Sequence, residues 1–275
     1  TGHSNLSKRV FRAFHSLKGA QIGVLIHDLI PLDWPDYQRA GTVAQFEKRM
    51  RVVSQFADVL ICNSQQTLDD CTRHFKGFGR MPEAFVAHLG VDLPDHPEVA
   101  LPQVPRPYVI TIGTIEPRKN HVFLLDLWDQ WEEAPHLVIC GNRGWKNEDV
   151  FARLDKGDTA NITELNGLED AQMMGLLKGA KAALFPSLAE GFGLPQVEAL
   201  SLGVPVICGD LGIYREILGE FPVYATTSNA YDWRIEVEKL LRQDSENHGR
   251  VVKDQAQFTA PKWDAHFNLV LRHFG

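Results

Sequence analysis

The stretch from Ala183 to Leu200 constrains the fold of this chain more than any other part of its sequence. Its apolar start predicts a buried strand that ends at Phe185. Pro195 predicts that a helix begins close by, because proline lacks the N–H group that a first helical residue leaves unpaired. Between them, Gly191 and Gly193 allow the backbone to approach a ligand closely. A buried strand, a glycine-containing loop and a helix in this order are typical of an α/β protein with a ligand at the loop.

The chemistry of this loop predicts an anion site. The backbone amides of Phe192, Gly193 and Leu194 are expected to point outward at the positive end of the helix, where a phosphate binds well. Glu190 precedes this corner, and Glu198 lies about one turn inside the helix. Two carboxylates that bracket an anion site suit a ligand with hydroxyl groups on both sides of a phosphate, such as a nucleotide sugar.

These residues carry a family resemblance. Glu190 and Glu198, with Gly-Phe-Gly-Leu-Pro between them, resemble the E-x7-E motif of the family 4 retaining glycosyltransferases, which have the GT-B fold. Further stretches match this family in the same order: Gly113–Asn120, Gly141–Trp145 and Gly203–Ile207. The resemblance covers nearly the whole chain and is sharpest from about Tyr108 to Glu216. It implies transfer of a hexose-type sugar, with retention of configuration, from a nucleoside diphosphate to a glycan or lipid-linked acceptor in surface polysaccharide biosynthesis.

The implied architecture is α/β: two Rossmann-like, doubly wound domains that face a cleft. We expect an acceptor-side domain with a proline-rich linker over residues 1–103, a nucleotide-sugar domain over 104–260, and a terminal helix over 261–275 that crosses back to the first domain. The chain begins at Thr1 without the family's glycine-rich start. We therefore expect the first domain to be incomplete.

The remaining apolar patterns predict alternating strands and helices. Predicted strands cover residues 21–26, 58–62, 85–88, 108–112, 136–140, 161–165 and 205–208. Predicted helices cover residues 43–56, 65–75, 122–131, 170–180, 233–242 and 261–274, and residues 35–41 are predicted to form a loop.

The resemblance places the donor's diphosphate beside Gly113, Thr114, Arg118 and Lys119. Arginine binds phosphate oxygens as a planar fork, and lysine binds them as a point charge. The alternative is a solvated basic turn. Thr114 stands where family members often carry a third cation, so diphosphate neutralisation depends more on Arg118 and Lys119.

Each glutamate of the motif has an implied role. Glu190 is expected to hold sugar hydroxyls near the reacting carbon, with a nucleophilic role as the alternative, and Glu198 is expected to accept hydrogen bonds from the ribose. The loop residues Gly191, Phe192, Gly193 and Leu194 complete the donor site. The turns that contain Gly141 and Leu168 are expected to flank the base through backbone atoms, which leaves GDP- and UDP-linked donors both open.

His27 follows the first predicted strand, at the edge where ligands collect in open α/β sheets. The segment His27–Pro31 resembles the His-Asp-Leu-Ile-Pro segment of polysaccharide-building family members. That resemblance places His27 near the donor sugar, and the alternative is a histidine satisfied by a strand-end hydrogen bond. We expect Asp28 to orient this loop or His27 rather than to take part in the chemistry.

Composition limits the partners. The chain has 275 residues, 44% of them hydrophobic and 23% charged, and a net charge of −7 argues against nucleic acid as a partner. The four cysteines are scattered without a C-x-x-C pair, which favours a reducing, cytoplasmic location over a disulfide framework or a metal site. No Asp-x-Asp motif occurs. We expect catalysis without a divalent metal and without any required cofactor.

The segment from Leu6 to Leu17 predicts an amphipathic helix. Leu6, Val10, Phe14 and Leu17 recur at helical spacing, with cations on the other faces. The preferred interpretation is that this apolar face packs in the core. The alternative is a basic helix at the anionic inner face of a membrane, where lipid-linked acceptors reside.

Two further functions remain open. An epimerase or a phosphorylase can have the same fold: the first converts the donor without an acceptor, and the second requires phosphate. The second open function is that of a non-catalytic nucleotide-binding subunit, because the predicted anion site at the start of the helix needs only the second domain.

Overall fold

The computed structural model describes residues 6–93, 99–157, 161–242 and 258–275. The chain folds into two compact units. The first comprises Thr1–Gly90, Glu190–Phe192 and Pro261–Gly275, and the second comprises Val91–Ala189 and Gly193–Ala260. Part of the predicted proline-rich linker, residues 94–98, lies outside the described residues.

The first unit contains a small parallel sheet of three strands with helices packed around it. Its helices are α1 (Lys8–His15), α2 (Ile30–Asp33), α3 (Thr42–Phe56), α4 (Gln65–Phe78) and α11 (Trp263–Phe274). Its strands are β1 (Gly23–Ile26), β2 (Val59–Cys62) and β3 (Glu83–Val86). The strands lie in the order β1-β2-β3, so the carboxyl ends of all three reach one edge of this sheet.

Helix α1 packs on the core as expected, but through a different face: Phe11 is buried there, and of the predicted stripe Leu6 packs against the core. Its buried anchor is Phe11, which is 2% exposed, whereas Val10, Phe14 and Leu17 are 37%, 51% and 58% exposed. A core-packing face built from these three residues is therefore wrong. Helical periodicity identifies an apolar stripe, but it does not identify which side of the helix packs on the core.

Helix α11 packs in the first unit through two close contacts. His266 Nδ1 lies 3.1 Å from the carbonyl oxygens of both Ala87 and His88. Gly90 approaches the backbone of Trp263 so closely that a side chain at this position would collide with it.

The second unit is a six-stranded parallel sheet covered by helices. Its strands are β4 (Tyr108–Ile112), β5 (His136–Cys140), β6 (Ile162–Leu165), β7 (Ala183–Phe185), β8 (Val206–Cys208) and β9 (Val223–Tyr224). Its helices are α5 (His121–Asp129), α6 (Glu148–Asp155), α7 (Asp170–Gly179), α8 (Leu194–Ser201), α9 (Gly212–Leu218) and α10 (Ala230–Arg242). Strands β4 and β5 are buried at every residue, which explains the continuous apolar runs from which they were predicted.

The strands of the second unit lie in the order β6-β5-β4-β7-β8-β9. Counted from β4, this is the 3-2-1-4-5-6 order of dinucleotide-binding doubly wound folds. The prediction of a doubly wound α/β architecture is therefore confirmed for this unit.

Two local predictions need correction, and one helix was not predicted. Strand β3 covers Glu83–Val86 rather than residues 85–88, because its first residues are half-exposed or exposed and lack the apolar run that marks a buried strand. Within the predicted loop, Pro35–Tyr37 forms a 3-10 turn just after the short helix α2. Helix α6, with only Val150 buried, has too narrow an apolar face to stand out in the sequence.

None of the helices in the described ranges combines the length and the apolar character needed to cross a membrane.

Candidate functional site

The strand order of the second unit identifies one edge as a ligand site. Neighbouring strands β4 and β7 flank the point at which the order reverses, and ligands bind outside the carboxyl ends of strands at such a point. Gly113 directly follows β4, and the loop that leads to Glu190 follows β7. Topology therefore selects the two stretches that the sequence motifs selected.

Lys119 lies over the backbone at the end of β4. Gly113 adopts a φ of +143°, and a Cβ atom there would lie 3.2 Å from Lys119 Cε and 3.4 Å from its Nζ. Gly141, at the end of β5, lies so close to the Gly113 carbonyl oxygen that a side chain would collide with it. Both glycines are thus needed for close backbone approach, and they leave the lysine ammonium at the strand end.

Arg118 connects its turn to the loop after β7. Its Nη2 pairs with the Glu116 carboxylate at 2.8 Å, and its Nη1 donates to the Ala189 carbonyl oxygen at 3.0 Å. The amide of Leu188 donates to the Arg118 carbonyl oxygen at 2.8 Å, and Asn120 Nδ2 donates to the Pro186 carbonyl oxygen at 3.2 Å. These bonds fasten the Pro117–Lys119 turn to the residues that precede Glu190.

Glu116 and Asn120 were missed as parts of this site. Glu116 is 4% exposed, and a carboxylate is buried in this way only when a cation or several donors satisfy it. The available signal was a charged triplet, Glu116, Arg118 and Lys119, within four residues at a strand end.

Helix α8 begins as the sequence predicts, with one difference. Gly193 is its N-cap, with φ +92°, and Leu194 rather than Pro195 is the first helical residue. Val197 donates the first helical bond, to Gly193 at 3.1 Å. The amides of Leu194 and Gln196 precede this bond, so the helix itself offers them no acceptor.

Glu198 is half-buried in the second turn of α8. Burial and the negative charge of Asp170, at the start of α7, raise the pKa of its carboxyl above the usual range. A carboxylate with a raised pKa at the edge of a sheet where ligands bind is a candidate functional group.

The turns predicted to flank the base are joined to each other. The amide of Gly167 donates to Asn142 Oδ1 at 3.3 Å, beside the half-buried Leu168. The amide of Ile115 donates to the Asn142 carbonyl oxygen at 2.9 Å. The methyl group of Thr114 packs where Gly144 lacks a side chain, at 2.8 Å from the Cβ position.

His121, at the start of α5, is a buried histidine that adds no charge beside Lys119. It is 2% exposed, and its Nδ1 has no hydrogen-bond partner within the described part of the chain. Burial and the nearby charge of Lys119 lower the pKa of His121 to about 4. The imidazole of His121 is therefore neutral near pH 7.

In the first unit, His27 is exposed at the end of β1, and its neighbour Asp28 fixes the turn. Asp28 Oδ1 accepts from the amide of Ile30 at 3.1 Å, which agrees with the loop-orienting role expected for it.

The segment Glu190–Phe192 groups with the first unit. A Cβ atom at Gly191 would lie 2.9 Å from Asp28 Oδ2 and 3.1 Å from the His27 carbonyl oxygen. The Phe192 ring meets the His88 ring edge-on, with centroids 6.2 Å apart. The first unit thus brings the His27–Asp28 turn together with the half-buried Glu190 and its neighbours.

Comparisons with known proteins identify the family of this chain. Residues 94–257, more than half of the chain, match the family described as glycosyl transferases group 1. The serotype-specific mannosyltransferase WbdA of Escherichia coli is 29% identical over 250 residues, which cover 83% of this chain and 31% of that protein. The O-antigen chain mannosyltransferase B of Escherichia coli is 26% identical over 250 residues, which cover 86% of this chain and 66% of that protein.

The fold has a solved counterpart. The crystal structure of WaaG, a glycosyltransferase involved in lipopolysaccharide biosynthesis, aligns with a TM-score of 0.71 and 14% identity over 98% of this chain and 83% of that one. The predicted GT-B fold is confirmed. This chain spans about a third of WbdA's length and about two thirds of mannosyltransferase B.

Proposed function

Because this chain belongs to the group 1 glycosyl transferases, we propose that it transfers a mannose-type hexose from a nucleoside diphosphate to a glycan or lipid-linked acceptor, with retention of configuration. In this reaction the anomeric C–O bond to the β-phosphate breaks and a C–O bond to an acceptor hydroxyl forms. The hydroxyl proton is released along with the nucleoside diphosphate.

The observation that carries the proposal is the charged corner of the second unit. Lys119 Nζ lies against Gly113 at the end of β4, and α8 begins after the neighbouring β7. A fixed ammonium and helix amides at the switch point suit a diphosphate that gains charge as it departs. Arg118 adds a second cation, whose guanidinium is held in place by Glu116 and by the Ala189 carbonyl oxygen.

We propose for the other predicted site residues the roles that the family resemblance implies. Glu198 accepts from the ribose, and Glu190 holds sugar hydroxyls near the reacting carbon. His27 contacts the donor sugar, while Gly141 and Leu168 flank the base. The raised pKa of Glu198 supports its role, because the hydrogen bonds of a bound ribose compensate a carboxylate for lost water.

The proposed reaction uses no divalent metal. Lys119, Arg118 and the first-turn amides of α8 supply the positive charge that a metal ion supplies at many other diphosphate sites.

The choice of mannose and of a polysaccharide acceptor rests on the relatives. WbdA and mannosyltransferase B are both named as mannosyltransferases, and the second is named for O-antigen chains. Both GDP- and UDP-linked donors belong in the first assay.

A donor panel tests the function. The chain is incubated with GDP- and UDP-linked hexoses and a lipid-linked or oligosaccharide acceptor, and the anomeric configuration of the product is read by NMR. Transfer with retention that requires an acceptor supports the proposal. Donor conversion without acceptor indicates an epimerase, a requirement for phosphate indicates a phosphorylase, and binding without turnover indicates a nucleotide-binding subunit.

We also propose that α1 contacts an anionic membrane that carries the acceptor. Its exposed Val10 and Phe14, and Leu17 just after its end, lie among cations of this segment. A groove of about 860 Å³ beside α1 and α3 is lined by cations of both helices: Lys8, Arg9, Lys48, Arg49 and Arg51. One carboxylate, Glu47, lines it too and pairs with Arg51 at 2.7 Å. Such positive charge in a chain of net charge −7 complements an anionic lipid surface.

Vesicle flotation tests this contact. The chain is expected to float with phosphatidylglycerol vesicles and not with phosphatidylcholine vesicles. The double variants Phe14→Ser/Leu17→Ser and Lys8→Gln/Arg9→Gln should weaken binding, and Lys156→Gln/Lys178→Gln in the second unit is the control. Equal flotation of all variants contradicts the membrane contact. A wild-type dimer in solution that becomes monomeric in the Phe14→Ser/Leu17→Ser variant also contradicts it, because the apolar residues then form a contact between two copies of the chain.

A further inference from the structure

A buried polar cluster lies at the carboxyl end of β2 and in the first turn of α4. Asn63, Ser64 and Thr67 are 1%, 0% and 2% exposed. Ser64 is the N-cap of α4, and its Oγ accepts from the amide of Thr67 at 3.0 Å. None of the three side chains carries a charge.

The hydrogen bonds of the cluster run in one direction. The Ser64 hydroxyl donates to Thr67 Oγ1 at 3.0 Å. Thr67 Oγ1 lies 2.8 Å from Asn63 Oδ1 and 3.3 Å from the His27 carbonyl oxygen, so its single proton is shared between these two acceptors. Asn63 Nδ2 then donates to the Gly191 carbonyl oxygen at 3.3 Å.

This direction fixes the orientation of the Asn63 amide. If the amide were turned over, its oxygen would face the Gly191 carbonyl oxygen, and two acceptors would meet without a proton between them. Asn63 therefore has one role toward Gly191, as a donor. The position is further fixed because the Asn63 backbone amide donates to the Ile26 carbonyl oxygen at 3.4 Å, beside the end of β1.

The cluster ends on both stretches to which the first unit contributes proposed site residues. One end reaches the backbone of His27, and the other reaches the backbone of Gly191, directly after Glu190. Gly191 packs against Asp28 at the same place, with its Cβ position 2.9 Å from Asp28 Oδ2. All of these contacts lie within the first unit.

We propose that Asn63 is a positioning residue of the transfer reaction, which Thr67 supports by orienting its amide. Asn63 holds the Glu190–Gly191 backbone in register with His27, so that the side chains of Glu190 and His27 meet the donor sugar in one geometry. The inference rests on the proposed function. A misplacement of about 1 Å in such groups lowers a rate about 100-fold, so the effect is expected in kcat.

The experiment separates positioning from folding and from nucleotide binding. Asn63→Asp replaces the donor with an acceptor of the same size, opposite the Gly191 carbonyl oxygen. Thr67→Val removes the hydroxyl and keeps the branched shape, and Thr67→Ser retains the hydroxyl. Thr72→Val is the matched control, because the Thr72 hydroxyl donates to the Leu68 carbonyl oxygen within the same helix α4.

We expect Asn63→Asp to lower kcat at saturating donor by roughly 10- to 100-fold. The dissociation constant for the free nucleoside diphosphate should stay within about twofold, because the second unit supplies its proposed ligands. Thr67→Val should lower kcat by about 10-fold, and Thr67→Ser and Thr72→Val should retain it. Thermal unfolding of each variant is measured alongside, and kinetics are recorded where each variant is fully folded.

Two results overturn the inference while leaving the proposed function intact. One is a kcat of folded Asn63→Asp within about threefold of wild type, and the other is an equal loss of kcat in Thr67→Ser and Thr67→Val. If Asn63→Asp does not fold, the Thr67→Ser and Thr67→Val pair decides alone. A wild-type chain that binds no nucleoside diphosphate overturns the proposed function, and the inference with it.

Discussion

The two sheets of this chain differ in the side chains at the carboxyl ends of their strands. At the carboxyl ends of β4 and β7, the second unit places Lys119, the Arg118–Glu116 pair and the half-buried carboxylate of Glu198. At the carboxyl ends of β1 and β2, the first unit places the neutral, buried side chains of Asn63, Ser64 and Thr67. The edge of the second unit, here called the charged edge, carries ionised side chains. The edge of the first unit, here called the neutral edge, carries uncharged side chains that fix the positions of backbone segments.

The difference follows from what each edge can do physically. Charges fixed in place stabilise a departing diphosphate, because they need no reorganisation when its charge grows. The side-chain hydrogen bonds of the neutral edge serve another purpose: they are directional and tie distant backbone segments together. Variants of the charged edge should therefore change binding and rate together, and variants of the neutral edge should change rate alone.

The largest effect is expected at Lys119. Replacing Lys119 with methionine removes the ammonium at the end of β4 and should lower kcat/KM by about 10²- to 10³-fold. The change is measured in the transfer assay, with the exposed Lys156→Met as the matched control. A loss below about fivefold would mean that Lys119 belongs to a solvated turn.

Arg118 tests whether its charge also supports the fold. Arg118→Met leaves the buried Glu116 carboxylate without its ion-pair partner and should reduce the free energy of unfolding by about 3 kcal/mol. Lys119→Met should change it by less than about 0.5 kcal/mol. Urea unfolding measures both, and Glu116→Gln/Arg118→Met should recover part of the loss. Equal free energies of unfolding for Arg118→Met and Lys119→Met would contradict a stabilising role for the Arg118–Glu116 ion pair.

Glu198→Gln should weaken binding of the nucleoside diphosphate about 10-fold, since a charge-assisted hydrogen bond to the ribose becomes a neutral one. The same change should raise stability. The pKa of Glu198 is raised in the folded chain, so ionisation lowers stability as pH rises from about 4.3, the ordinary glutamate pKa, through the raised value.

Glutamine at position 198 does not ionise, so the Glu198→Gln variant avoids this loss of stability. The thermal midpoint of Glu198→Gln should therefore exceed that of wild type at pH 7 by about 2–4 °C for each kcal/mol gained, and the difference should vanish near pH 4. A lower midpoint at pH 7 would show that the Glu198 carboxylate is stabilising.

The smallest effect is expected from metal removal. Because fixed cations occupy the role of a metal, EDTA should change kcat by less than about twofold, and added magnesium should not restore activity to Lys119→Met. Activity that EDTA abolishes and magnesium restores would contradict the account of the charged edge.

The charged edge was largely predictable from the sequence. Gly113, Lys119 and the E-x7-E stretch stand next to buried apolar strands, and the burial of every residue in β4 made its boundaries plain. The Glu116–Arg118 pair was missed because its two side chains meet through a turn whose geometry the sequence does not encode locally.

The neutral edge and the surface of α1 were not predictable. Asparagine and threonine are common in turns and at helix starts, so Asn63 and Thr67 do not stand out in the sequence. The hydrogen bond from Asn63 to Gly191 joins positions 128 residues apart, and no local pattern indicates it. Helix α1 carries apolar residues on two sides, so the choice between Phe11 and the stripe of Val10, Phe14 and Leu17 depends on tertiary packing.

Calorimetric titration of the chain with GDP and UDP, with and without magnesium, tests the central claim most directly. We predict that one diphosphate binds, that magnesium leaves its affinity unchanged, and that Glu198→Gln weakens it about 10-fold while Asn63→Asp leaves it within about twofold. Absence of binding, or binding that Lys119→Met and Glu198→Gln both leave unchanged, would contradict the assignment of the charged edge as the donor site.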